Sequence, residues 1–285
     1  MITDWRSYND VAEVYSRVAE VHYFARPAQD LLCMLDPAPG SRFLDAGAGS
    51  GAVTALAAAV VGRLGMVVGL DPAVSMLLRW QNRCASHPVA GALPHVPHPD
   101  GSFDSVAAGF VLTHVLDCEG ALNALVRVLK PSGRLGVSCW ASSPSHAPPG
   151  KVWQDTAHGF VDEAVMTDAL QAALPWEARF SVPDALKVVL QSAGLGDARV
   201  EQREYDVEMS TIAYLESRLM SLSSRFIQSC LPADEWARFK DQLARELSSR
   251  CGPRVAFTVR VNFGIGVKPG AGTRGERPAA IADSR

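Results

Sequence analysis

Residues 42 to 140 alternate between two kinds of apolar segment, and this limits the possible folds more than anything else in the chain. RFLDA, MVVGLD, FDSVAAGFV and GRLGVSCW are short runs of the strand-forming kind. GAVTALAAAVV, AVSMLLRWQNRC and ALNALVRVL lie between them and carry apolar residues at helical spacing. Strands alternating with helices of this length make βαβ units around a parallel sheet, so the expected class is α/β, Rossmann-like and doubly wound. Ligands of such sheets sit at the carboxyl ends of the strands. The first of those ends is the most unusual turn in the chain, DAGAGSG, from Asp45 to Gly51.

Bare glycines at Gly47, Gly49 and Gly51 allow positive φ and let a ligand approach the backbone, while the helix that follows turns free N–H groups toward the same point. The loop by itself is ambiguous. Gly47, Gly49 and Ala52 also satisfy the dinucleotide pattern G-x-G-x-x-G/A, with Asp71 at a suitable distance for a ribose. A nicotinamide dehydrogenase is therefore one reading of the loop, and a tight turn made only for packing is another.

The flanks differ from the centre. Val11, Val14, Val18 and Val21 recur at helical spacing ahead of Pro27, and a second helix carries Leu31, Leu32 and Leu35. After the Pro/Ser-rich SSPSHAPPG come helical segments, the strand ARVEQREYDVEM, two more helical stretches with Leu219 and Leu243 on their apolar faces, and the alternating RVAFTVRVNFGIGV, read as a late strand added to the sheet. This gives an N-terminal helical cap over 1–36 and a core over 37–142. Helical lid insertions plus C-terminal strands follow over 143–267, and a disordered tail over 268–285.

A net charge of −3 leaves no basic footprint for nucleic acid or for an acidic membrane. The polar start MITDWRSYND and the shortness of AVTALAAAVVG argue against an anchor, and six scattered cysteines fit a reducing cytoplasm better than a disulfide scaffold. No His/Cys pattern has metal-ligand spacing.

Five segments in order carry a family resemblance: YNDVAEVY, DAGAGSG, GLDPAVSML, PDGSFDSV and LKPSGRL. Together they resemble the class I S-adenosylmethionine (SAM)-dependent methyltransferases, of the small-molecule group that contains the ubiquinone and menaquinone methyltransferases. The resemblance covers about residues 8 to 140. It implies SAM as cofactor and a mostly parallel seven-stranded sheet with N-terminal helices and an inserted lid. Asp45 and the loop Gly47–Gly51 would hold the methionyl part, with Ala46 beside them. Asp71 would accept from the ribose hydroxyls, Pro72 and Met76 would lie near the adenine, and Tyr15 would close over the cofactor. Ala90 and Phe110 complete the implied cofactor set. One departure stands out: Val89 occupies the place expected to hold a carboxylate for the adenine amino group, where a charge-assisted hydrogen bond contributes roughly 1.5–3 kcal/mol.

Methyl transfer needs an in-line nucleophile in a dry pocket, aromatic faces for the sulfonium, and a base when the acceptor is a hydroxyl or an activated carbon. Tyr8, Tyr15, Phe110 and Trp140 supply candidate faces. His114, just past the fourth strand, is the candidate base, ahead of His22 and His158. AGFV stands where amino-methylating nucleic-acid enzymes carry N/D-P-P-Y/F, so a small-molecule acceptor is expected and not DNA or RNA. Trp153, Phe160, Met166, Leu219, Met220 and Phe226 suggest an apolar lid and an apolar acceptor, possible equally as a homodimer contact. The composition is compatible with secondary metabolism. A SAM-assisted reaction without methylation, such as a cyclisation, is the alternative on the same fold, and a binding protein with a decayed cofactor site is a third reading.

Overall fold

The computed structural model describes residues 4–80, 86–141 and 148–270. The chain opens with a short helix α1 (Ala12–Val14) that passes into a π-helical stretch, Tyr15–Phe24, and then into α2 (Ala25–Leu35). Pro27 therefore does not interrupt two helices. It falls in the first turn of α2, where a missing N–H costs little, and the preceding turns close through wider bonds, Ala25 N to Glu20 O among them. The wider turn also rotates the apolar stripe, so Val18 is buried and Val21 is 61% exposed.

The sheet has the expected centre. β1 (Arg42–Ala46), β2 (Met66–Asp71), β4 (Phe103–Gly109) and β5 (Leu129–Trp140) are parallel, with α3 (Ala52–Val61), α4 (Val74–Leu77) and α5 (Cys118–Val128) between them. β3 (His87–Ala90) is a short edge strand parallel to β2 that the sequence did not announce, since Pro88 and exposed neighbours hide its pattern. The helix expected over AVSMLLRWQNRC is seen as α4; its expected part past residue 80 lies outside the described residues, as does most of the tail expected to be disordered. The strand order is β3-β2-β1-β4-β5-β7-β6, seven strands in all.

Four helices follow β5: α6 (Pro148–His158), α7 (Glu163–Ala173), α8 (Glu177–Phe180) and α9 (Pro183–Ser192). β6 (Gly196–Ser210) and β7 (Arg254–Val267) then form one long antiparallel hairpin, with α10 (Thr211–Leu219), α11 (Leu222–Cys230) and α12 (Ala233–Cys251) as its connection. β7 pairs with β5 only over Val261–Val267, but with β6 as far as Arg254. The first half of β7 and the second half of β6 thus project beyond the carboxyl ends of the parallel strands and carry the lid.

Burial follows the same division. Leu44, Val106, Val137, Leu125, Phe180 and Leu190 fill one face of the sheet, under α5, α8 and α9. Phe43, Val67, Leu31, Leu35 and Ala57 fill the other, under α2 and α3. A third cluster, with Val152, Phe239, Leu243, Ile227, Val207 and Val255, ties the lid helices to the projecting hairpin. No helix among the described residues is long and apolar enough to cross a membrane.

Candidate functional site

β1 ends in Asp45, which is 2% exposed and whose Oδ2 accepts a 2.7 Å hydrogen bond from Thr54 Oγ1 on α3. Burial is the main cause that raises its pKa to about 7. Thr54 works against that shift, and the nearby charge of Asp71 adds to it. The chain then turns through Gly47 (φ 74°), Gly49 (φ 52°) and Gly51 (φ 92°). A Cβ at Gly47 would lie 2.5 Å from Val111, whereas one at Gly49 would meet nothing within 4 Å. Gly47 is bare because the fold leaves no room, and Gly49 is bare on the side that opens into the cavity. Gly51 packs on Trp80, a residue the sequence reading passed over. Its indole is fully buried and its Nε1 donates to Gly49 O at 3.0 Å, which anchors the loop from behind.

β2 ends in Asp71. Oδ2 accepts from Gly49 N and Oδ1 from Ala73 N, both at 2.8 Å. The second bond closes the turn into α4. A carboxylate offers about four acceptor sites, and a free one remains on each oxygen for a diol. Burial raises this carboxyl above its ordinary value, with the two amides opposing.

The remaining walls come from farther along the chain. Phe110 has φ 54°, a conformation uncommon outside glycine that ends β4 two residues earlier than its apolar pattern suggests. Its ring centroid lies 5.0 Å from Phe24 and 4.6 Å from Trp140, and Phe24 stacks on Tyr15 at 5.2 Å. Tyr8 meets Tyr15 at 6.0 Å and His114 at 5.7 Å, both edge to face. Arg225 of α11 is 2% exposed, lies 4.5 Å over the Tyr8 ring and donates to Ser7 O, so the lid holds the N-terminal segment in place. His114 lines the cavity, where its residue surface is exposed although much protein lies around it. Burial first, and the charge of Arg225 second, push it down to about 4, so it is neutral at pH 7.

These groups share one cavity of about 790 Å³, within the usual range of about 300–1,000 Å³ for small-molecule pockets. It runs from Gly47, Gly49, Asp71, Pro72 and Met76, past Tyr8, Tyr15, Phe110 and His114, to Trp140, Tyr214, Arg218 and Phe257 under the lid. Asp45 opens into a smaller recess on the same loop, shared with Tyr15, Phe110 and Ser138. Of the remaining expected residues, Ala46 is fully buried in the core, Gly51 serves the loop through Trp80, and Ala90 is an exposed residue of β3 that does not line the cavity. His22 and His158 do not line it either. Val89 pairs with Leu70 and packs against the core. Its side chain is partly buried and does not line the cavity.

Glu177 is the group that sequence reasoning missed. It lines the cavity from the first turn of α8, and burial raises its carboxyl. Its position depends on Asn262 of β7, fully buried, whose Nδ2 donates to Phe180 O and Ser181 O at 3.0 Å. No local pattern could have announced a contact that spans 82 residues.

The residues present fit SAM. Asp45 is a buried carboxylate with a hydroxyl partner and no cation, which suits an α-ammonium. Asp71 has acceptor sites left for a ribose diol, the loop is open at Gly49, and the aromatic walls suit a sulfonium. Comparison with known proteins agrees. A methyltransferase-domain family matches residues 44–137. Nocamycin O-methyltransferase of Saccharothrix syringae is 28% identical over 93% of this chain and 99% of its own length. The ubiquinone/menaquinone biosynthesis C-methyltransferase UbiE of Azotobacter vinelandii is 34% identical over 56% of this chain and 67% of its own. Among solved structures, Haemonchus contortus phosphoethanolamine N-methyltransferase 2, in complex with SAM, shares the fold. Its TM-score is 0.54 and its identity 16%, over 94% of this chain and 60% of that one. With the sheet order, the glycine loop and the two strand-end carboxylates already in place, these likenesses make the chain a member of the class I SAM-dependent methyltransferases.

Proposed function

We propose that this enzyme transfers the methyl group of SAM to an oxygen, carbon or nitrogen of a small, rather apolar metabolite held under the lid. The observation that carries this reading is the single cavity that joins the cofactor loop to an aromatic lid wall without a partition. Oxygen is the favoured atom, because the relative named for O-methylation matches the lid as well as the core.

The cofactor supplies an already activated methyl group, and the chain's own residues supply place and environment. Asp45 and the Gly47–Gly51 loop hold the methionyl end, Asp71 the ribose, and Pro72 and Met76 the surface beside it. Tyr15, Phe24, Phe110 and Trp140 exclude water and present ring faces to positive charge. His114, neutral at pH 7, has a lone pair to accept the hydrogen bond of an acceptor hydroxyl and so orient its oxygen. With a pKa of about 4 it is a weak base. Glu177, desolvated on the same side of the cavity, is the second group able to take a proton there. Methylation is preferred over a SAM-assisted cyclisation because the relatives that match the sequence are named for methyl transfer.

The test begins with calorimetric titration by SAM, with NADH as control, followed by screening hydroxylated apolar acceptors for S-adenosylhomocysteine. Micromolar SAM binding and acceptor-dependent S-adenosylhomocysteine are expected. SAM binding with product formed and no SAM consumed would overturn methyl transfer, and absence of SAM binding would overturn the cofactor placement.

A further inference from the structure

The lid places one guanidinium in the wall of the cavity with no ion pair among the described residues. Arg218, near the end of α10, lines the cavity with its guanidinium 4.2 Å over the ring of Trp153. Trp153 is 7% exposed and fixed by a 3.0 Å bond from its Nε1 to Ser224 Oγ, so the platform under the guanidinium is rigid. Arg218 Nε is buried with no hydrogen-bond partner among the described residues, and none of their ion pairs includes Arg218.

Most of the other charged groups of the cavity have partners, while Glu177 has no ion pair among the described residues. Arg260 pairs with Glu204 at 2.6 Å, Arg6 is matched with Asp4, and Asp71 accepts from two amides. Glu177 belongs to the surroundings of Tyr8. Arg218 sits instead among phenols: its charge lowers Tyr23 and Tyr214 against the rise that burial gives them, and Tyr23 hydrogen-bonds Ser217 at 3.2 Å. Phe257 and Val259 of the projecting hairpin line the same cavity. A guanidinium held on an aromatic platform in the cavity wall, with no counter-ion among the described residues, is suited to bind a planar anion.

We propose that Arg218 anchors an anionic group, a carboxylate or an acidic enol, on the methyl acceptor, so that the acceptor is an aromatic or aliphatic acid and not a neutral apolar molecule. This deepens the function proposed above and rests on it for the identity of the lid compartment.

The test uses the full chain saturated with S-adenosylhomocysteine and a matched probe pair, 2-naphthoate and 2-naphthamide, in calorimetric titration. The carboxylate should bind at least about tenfold more tightly, as expected for a charge-assisted bond. Arg218→Met should erase the preference and Arg218→Lys should keep part of it. The affinity for S-adenosylhomocysteine should change by less than about twofold in both variants, which guards against misfolding. Equal binding of the two probes, no binding of naphthoate, or a preference that survives Arg218→Met would overturn the proposal.

Screening neutral and acidic phenols for S-adenosylhomocysteine formation separates the two readings. Neutral phenols turned over as well as acidic ones would remove the anion anchor and leave methyl transfer standing. A naphthoate preference that depends on Arg218, found without any turnover, would keep the anchor and count against methyl transfer.

Discussion

The cofactor end and the lid end of the cavity are built on opposite plans. At the cofactor end, backbone does most of the work: three positive-φ glycines, two strand-end carboxylates, and amide donors within a few residues of them. At the lid end, side chains from four separate stretches meet: Trp140 from β5, Glu177 from α8, Tyr214 and Arg218 from α10, and Phe257 from β7. The first plan fixes a ligand common to many enzymes through local geometry that tolerates little change. The second surrounds a particular ligand by tertiary packing and can be altered one side chain at a time.

His114 stands where the two ends meet, and its replacement gives the largest expected effect. His114→Ala should lower kcat by about 100-fold or more with a hydroxyl acceptor while SAM affinity changes less than about twofold. Loss of SAM affinity instead would place His114 in the cofactor half and break the division. Next comes Asp71→Ala, which removes the acceptor of two amides as well as the proposed ribose partner. SAM affinity should fall about 100-fold by calorimetry, and an unchanged value would mean that the carboxylate only caps α4.

A third test uses pH. The Asp45 carboxyl is ordinarily near 3.8 and stands at about 7 in the folded chain, so below 7 the empty site carries a proton that an α-ammonium must displace. SAM affinity should then fall as pH drops through 7, by up to about tenfold per unit, and Asp45→Asn should flatten the dependence. The same linkage applies to folding: the stability Asp45 contributes is full below its unfolded value and fades as pH rises to 7. The smallest effect belongs to a position remote from both ligands. Asp162 caps α7 by accepting from Ala164 N and Val165 N, at 2.9 and 3.2 Å. Asp162→Ala should cost about 1 kcal/mol in denaturant unfolding and leave SAM binding unchanged. A shift in SAM affinity would show that the lid and the loop are coupled.

The two plans also explain what could be read from the sequence. The strand–loop–helix order, Asp45, Asp71 and the glycines were legible because each is a local pattern with a local cause. Tyr15 was legible through the family resemblance and Phe110 as a candidate aromatic face, although nothing in the sequence announces the positive φ of Phe110. Trp80 was hidden because it reads as one more apolar residue of a helix, and its bond to Gly49 O spans 31 residues. Glu177 and Arg218 were hidden for a similar reason. Each looks like an ordinary surface charge on a helix, and only the packing of α8 against β5 and α9, and of α10 against the hairpin, places them along the cavity. At Val89 the absence of a carboxylate was legible, but the strand face that the residue occupies was not.

The projecting half of the β6–β7 hairpin has a consequence for descent as well as for chemistry. Its lower half is bound into the sheet beside β5, so the helices carried above it can be lengthened, reshaped or exchanged while the cofactor loop, more than 150 positions earlier in the chain, stays as it is. A lineage with such an arrangement can explore new acceptors without relearning how to hold the methyl donor.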